Sequence, residues 1–235
     1  MQSNKKITSI IAILISITAV FLTVLFGHYI LKGEKFNLVC ILIVAEILVP
    51  FFLSFENKKP NVRELVIIAV MCAIAVAGRV AFNAIPQFKP MCAIIIISGI
   101  CLGAEKGFII GAVSALVSNM FFSHGSWTAF QMLGFGLVGL VSGIVFAKGR
   151  LPKNFVFVSI FGFFATIILY GGVANLSSLL YYPQITWDLV YTTYIVYGLP
   201  FDFIHALSTA LFLLFITYPA VETLERIKTK YGLFS

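Results

Sequence analysis

Residues 65–85 read LVIIAVMCAIAVAGRVAFNAI. A single charge, Arg79, interrupts an otherwise apolar run. The run is long enough to cross a hydrocarbon core of about 30 Å as a helix. It is continuous rather than alternating, so it does not read as a strand of a lipid-facing barrel. Alanine recurs at Ala69, Ala73, Ala77 and Ala81. That spacing lays one stripe of small side chains along one helix face, where a second backbone can approach closely in lipid.

Seven further apolar segments lie around this one, at 7–26, 36–55, 91–104, 107–122, 127–147, 155–180 and 189–217. Of the 235 residues, 60% are hydrophobic and 11% charged, with a mean hydropathy of +1.05. A soluble domain carries about 25% charged residues. The expected fold is therefore an all-α integral membrane protein of about eight spans. The first segment is too long for a signal-peptide core and no small-residue cleavage site follows it, so it is retained as a helix. The fourth and fifth segments are short. Either they tilt into the bundle centre or one does not cross fully.

The net charge of +7 does not read as a nucleic-acid surface, because the basic residues sit singly or in pairs between apolar runs. Lys5, Lys6, Lys58, Lys59, Arg63, Lys106, Lys148, Arg150, Lys153, Arg226, Lys228 and Lys230 fall on one side of an eight-span chain; Lys32, Lys35, Arg79 and Lys89 fall on the other. This bias predicts that both termini are cytoplasmic. The chain divides near residues 57–60, with an accessory hairpin over 1–60 and a six-helix working core over 61–235. Cys40, Cys72, Cys92 and Cys101 lie inside apolar segments and read as small buried hydrophobes.

Polar and aromatic residues gather at the outer ends of the core segments. The first group is Arg79, Asn83, Gln87 and Lys89. The second is Asn119, His124, Trp127 and Gln131. The third is Tyr181, Asp188 and Tyr191. A pocket for a small molecule needs this mixture of rings and a few placed polar groups, although an aromatic belt with wet loops has the same composition. Arg79 lies deep in its helix and needs a partner or a water-filled cavity. Asp202 is a candidate counter-ion, in a pair that could serve either the bundle or a ligand. His205 follows Asp202 on the same face. Glu46, near Pro50, is a further acid within an apolar segment. Gly107, Gly111, Ala115 and Asn119, with Gly99, Gly103, Gly139 and Gly143, form further small-residue stripes, read as internal packing. There is no phosphate-binding Gly-rich loop, no His-Glu-x-x-His and no Gly-x-Ser-x-Gly. No metal or cofactor is expected, and the energy for uphill transport must come from an ion gradient or another subunit.

Several stretches carry a resemblance. They are Arg63-Glu64-Leu65-Val66, Gly78-Arg79-Val80-Ala81-Phe82, Gln87-Phe88-Lys89-Pro90, residues 111–122, residues 127–139, and Gly198 to Ala206. From residue 63 to about 233 the chain resembles the substrate-binding S components of energy-coupling factor (ECF) transporters. The resemblance implies a six-helix subunit of an ECF-type ABC importer in the bacterial plasma membrane. It would capture a vitamin or vitamin precursor from outside and work with a membrane scaffold subunit and two ATPase subunits. In that family an Ala-x-x-x-Ala motif on the first core helix meets the scaffold; Ala69, Ala73 and Ala77 match it. Family members are thought to topple in the membrane to deliver the ligand. The extra N-terminal pair of helices departs from the six-helix pattern.

Two other classes stay open on residues alone. An ion-coupled secondary transporter would use Glu46 or Asp202, but inverted repeats are not visible. A membrane-embedded enzyme would use Asp202 and His205, but lacks a nucleophile or metal set. The outer rings suit a flat ligand such as a flavin, pterin, thiamine-like or corrinoid compound. Arg79 and Lys89 suit a carboxylate or phosphate on it.

Overall fold

The structure is a computed structural model describing residues 2–31, 35–57, 62–147, 150–182 and 184–233, with backbone alone for 2–10 and 50–57. The chain junction read at 58–60, and Lys32 and Lys148, lie outside the described residues. The described residues form helices and no strand: α1 (Gln2–Tyr29), α2 (Phe36–Asn57), α3 (Val62–Ala81), α4 (Met91–Leu102), α5 (Ala104–Phe122), α6 (Trp127–Val145), α7 (Phe155–Leu179) and α8 (Trp187–Tyr231). Six of them are long and apolar enough to cross a membrane, and the protein is an all-α integral membrane protein.

Helix α4 is the centre of the bundle. All twelve of its residues are buried, and α3, α5, α6, α7 and α8 pack around it. At 1.5 Å per residue it spans about 18 Å, well short of the hydrocarbon core. Of the two segments read as short, this is the one that stays short. The fifth gains length at its N-terminus and becomes a 19-residue helix, α5. Gly103 alone separates α4 from α5, and its φ of +96° is a conformation that glycine adopts without steric cost.

The small-residue stripes have two different destinations. Those of α4, α5 and α6 are internal: a Cβ on Gly107 would overlap the Gly139 carbonyl, one on Gly111 the Phe135 carbonyl, and one on Gly99 the Ser142 hydroxyl. The α3 stripe faces outward. Ala69, Ala73, Ala77 and Ala81 are all exposed, while Ile68, Met71, Cys72, Ala75 and Val76 on the opposite side are buried. The four cysteines are free and buried.

Helices α1 and α2 pair with each other and rest on α5 and α6. Between them the Thr23 hydroxyl donates to the Glu46 carboxylate at 2.6 Å. The second Glu46 oxygen is buried and has no partner among the described residues. Glu46 therefore clamps the hairpin.

The two ends of the bundle differ in chemistry. At one end Lys153 and Lys228 both pair with Glu225 at 3.0 Å, and the Arg63 guanidinium lies 5.2 Å from the Tyr231 ring centre. The opposite end holds the α3–α4 and α7–α8 loops and the widened turns of α7 and α8. Each of these helices contains a π-helical stretch, Thr166–Gly171 and Thr192–Gly198 respectively.

Candidate binding site

A cavity of about 570 Å³ lies between the second half of α7 and the first half of α8, beside the α3–α4 loop. Its volume is in the range of small-molecule pockets. Rings supply much of the wall, from Tyr170, Tyr181, Tyr182, Tyr197 and Phe201. Polar groups converge among them: Gln87, Asn175, Ser178, Thr192, Thr193 and Asp202.

The π-helical turns and two glycines build this site. In a π turn the hydrogen bond spans five residues, which widens the helix and rotates the side chains beyond it; such turns concentrate at functional sites. Here Gly172 N–H donates to the Ile167 carbonyl and Leu199 N–H to the Tyr194 carbonyl. Each stretch ends on a glycine set against the other helix. A Cβ on Gly171 would overlap the Asp202 carboxylate, and one on Gly198 would overlap the Asn175 amide. The space left free lets Asn175 donate to Asp202 across the two helices at 2.8 Å. The Tyr194 hydroxyl adds a second bridge to the Gly172 carbonyl at 2.8 Å.

Gln87 reaches the cavity from the α3–α4 loop with a φ of +56°. Non-glycine residues rarely adopt that conformation. Packing holds the loop in place: Phe82 and Phe88 stack on Phe212 of α8 at 5.1 and 5.4 Å, and Ser208 donates to the Lys89 carbonyl at 3.3 Å.

A second polar cluster lies on α3, α5 and α6. Arg79 donates to the Ser118 hydroxyl and, at 3.0 Å, to the Asn119 side-chain oxygen. The Asn119 amide donates in turn to Thr128 at 3.1 Å and Gln131 at 2.9 Å. Ser118 and Asn119 are fully buried. The Phe122 ring takes the Arg79 guanidinium at 4.8 Å and the Lys89 ammonium at 5.5 Å. Burial, and then the neighbouring Arg79 charge, lower the Lys89 pKa below its ordinary value.

This corrects the expected Arg79–Asp202 pair. Among the described residues no ion pair joins them. Neutral oxygens one helix away and an aromatic face satisfy Arg79, while Asp202 takes a neutral amide.

The residues singled out in the sequence thus fall into separate groups. Gln87, Tyr181 and Asp202 line the cavity. Arg79, Lys89, Asn119 and Gln131 belong to the second cluster. Asn83, His124, Asp188 and Tyr191 are exposed. Trp127 is exposed too, with its ring stacked on Gly125. His205 is buried edge-on against Tyr170 at 4.9 Å, and among the described residues neither of its ring nitrogens has a hydrogen-bond partner. Tyr181 joins the groups at the rim: its hydroxyl bonds Ser126, and its ring packs 4.6 Å from Phe36 of α2. Sequence reasoning passed over Tyr170, Asn175, Tyr197 and Phe201. A four-residue rhythm, Tyr170-Ala174-Ser178 and Thr193-Tyr197-Phe201, marks both faces.

Residues 63–221 match the family model for the substrate-specific component of ECF transporters. The chain belongs to this family. As a substrate-specific ECF component it is a subunit of an importer, and the match runs through α3 to α7 and into α8, taking in every cavity-lining residue. This ECF component is similar to a UPF0397 protein of Aliivibrio fischeri (strain MJ11), 27% identical over 139 residues, covering 54% of this chain and 75% of the relative. A UPF0397 protein of Vibrio atlanticus (strain LGP32) is also 27% identical, covering 54% and 76%. No solved structure matches the ECF component significantly.

Proposed function

We propose that this ECF component captures a vitamin or vitamin precursor from the outer face of a bacterial plasma membrane. The ligand sits in the cavity between α7 and α8. A membrane scaffold subunit and two ATPase subunits then drive its delivery. The observation that carries this reading is the cavity itself: ring-walled, with convergent polar groups, at the end of the bundle opposite the Lys153–Glu225–Lys228 cluster. A basic end is the cytoplasmic end by the positive-inside rule, so the cavity opens outward.

The exposed alanine stripe of α3 supports the partner. Four small residues on an outward face offer close backbone contact to another membrane helix. Helices α1 and α2 lie outside the family match and act as an accessory hairpin beside a working core from residue 61 onward.

The experiment is co-expression of the tagged full chain with its scaffold and ATPase subunits. The account expects the four proteins to co-purify, and growth on a limiting vitamin to require ATPases competent in hydrolysis. Uptake that persists with inactive ATPases and follows a proton or sodium gradient would refute it.

A further inference from the structure

We infer that the ligand of this cavity is a planar organic cation, its charge against Asp202 and its ring between the tyrosine faces; the inference rests on the cavity being the site of capture.

Among the described residues, Asp202 is the only charged side chain lining the cavity. It is half-buried within a membrane helix, and among the described residues it has no cationic partner. Its hydrogen bond comes from Asn175, a neutral amide. Arg79 is engaged with Ser118, Asn119 and Phe122. His205, one turn along, bonds none of the described residues through either nitrogen. An acid at such depth without a counter-charge is costly and marks a functional position.

The fold nevertheless makes room for this carboxylate. Gly171 leaves it space against α7, and Asn175 fixes its orientation across the helix pair. The walls fit the same ligand: Tyr170, Tyr181, Tyr182, Tyr197 and Phe201 present aromatic rings, whose faces attract cations and stack on flat rings. An anionic ligand would meet Asp202 with no compensating cation among the described residues of the wall. The carboxylate or phosphate that Arg79 and Lys89 suggest in the sequence finds neither of them there.

The test uses one ring in three charge states. The purified full chain in mild detergent is titrated with 1-methylnicotinamide (cation), nicotinamide (neutral) and nicotinate (anion), reading the thermal midpoint and the heat of binding. The cation should stabilise the protein and bind roughly tenfold or more tightly than the other two, and Asp202→Asn should erase that preference. If Asp202→Asn does not fold, Phe201→Ala replaces it, and cation binding should weaken several-fold. Nicotinamide or nicotinate binding as well as the cation, no stabilisation by the cation, a cation preference that survives Asp202→Asn, or cation binding undiminished in Phe201→Ala would overturn the inference. Each of those results leaves the importer reading to ATPase-dependent uptake, which does not depend on ligand charge.

Discussion

Asn175 of α7 donates to Asp202 of α8 at 2.8 Å, and each side chain occupies the space left by a glycine on the other helix. The contact joins the two π-helical helices at the cavity wall. Replacing Gly198 with Val should push the Asn175 amide off the carboxylate. The expected outcome is ligand binding weakened tenfold or more, with scaffold co-purification unchanged. Calorimetry and pull-down on the same preparation check both.

Arg79 is predicted to be structural. Arg79→Ala leaves the buried Asn119 oxygen without its donor, at a cost of about 1–3 kcal/mol. The thermal midpoint should fall by several degrees. Relative affinities for cationic, neutral and anionic probes should hold, since Arg79 does not line the cavity. Thermal melts alongside the three-probe titration decide this. A selective gain or loss of anion binding would return Arg79 to the ligand.

For the exposed stripe of α3, Ala73→Trp or Ala77→Trp should abolish co-purification with the scaffold subunit and leave small-molecule binding by the isolated chain intact. The ring cannot fit a close helix contact, yet it meets only the outside of this bundle. Simultaneous loss of folding would show the stripe to be internal after all.

The hairpin reaches the site through Phe36, whose ring packs 4.6 Å from Tyr181. Aromatic pairs contribute about 0.5–1.5 kcal/mol beyond area burial. Phe36→Ala should therefore release Tyr181 and weaken ligand binding by a few-fold to tenfold, mainly through faster dissociation. Stopped-flow release measured on wild type and variant tests it.

Much of this architecture was legible in the residues. Continuous apolar runs implied helices, and alanines at four-residue spacing marked one face of α3. The amides and rings at segment ends lie at the end of the bundle that holds the cavity. The details that build the cavity were not legible. Nothing in Thr166–Gly171 or Thr192–Gly198 distinguishes a π turn from an α turn in sequence, because the two differ in the span of the backbone hydrogen bond and not in residue type. The α7 and α8 walls were missed for that reason, although Thr193, Tyr197 and Phe201 repeat with helical spacing. Charge arithmetic paired Arg79 with Asp202 by sign. In the fold, the register of α5 brings Ser118 and Asn119 to Arg79 first. The fourth segment could be read as short, but only its burial on every side shows that it is the central post.

Capture of a small ligand between α7 and α8 is the proposal on which the others depend. Mass spectrometry of the compounds that co-purify with the full chain in mild detergent tests it most directly, comparing wild type with Gly198→Val and Arg79→Lys. A ring compound should be present with wild type and Arg79→Lys and depleted at least tenfold with Gly198→Val. A compound retained equally by all three proteins, or none with any of them, would contradict it.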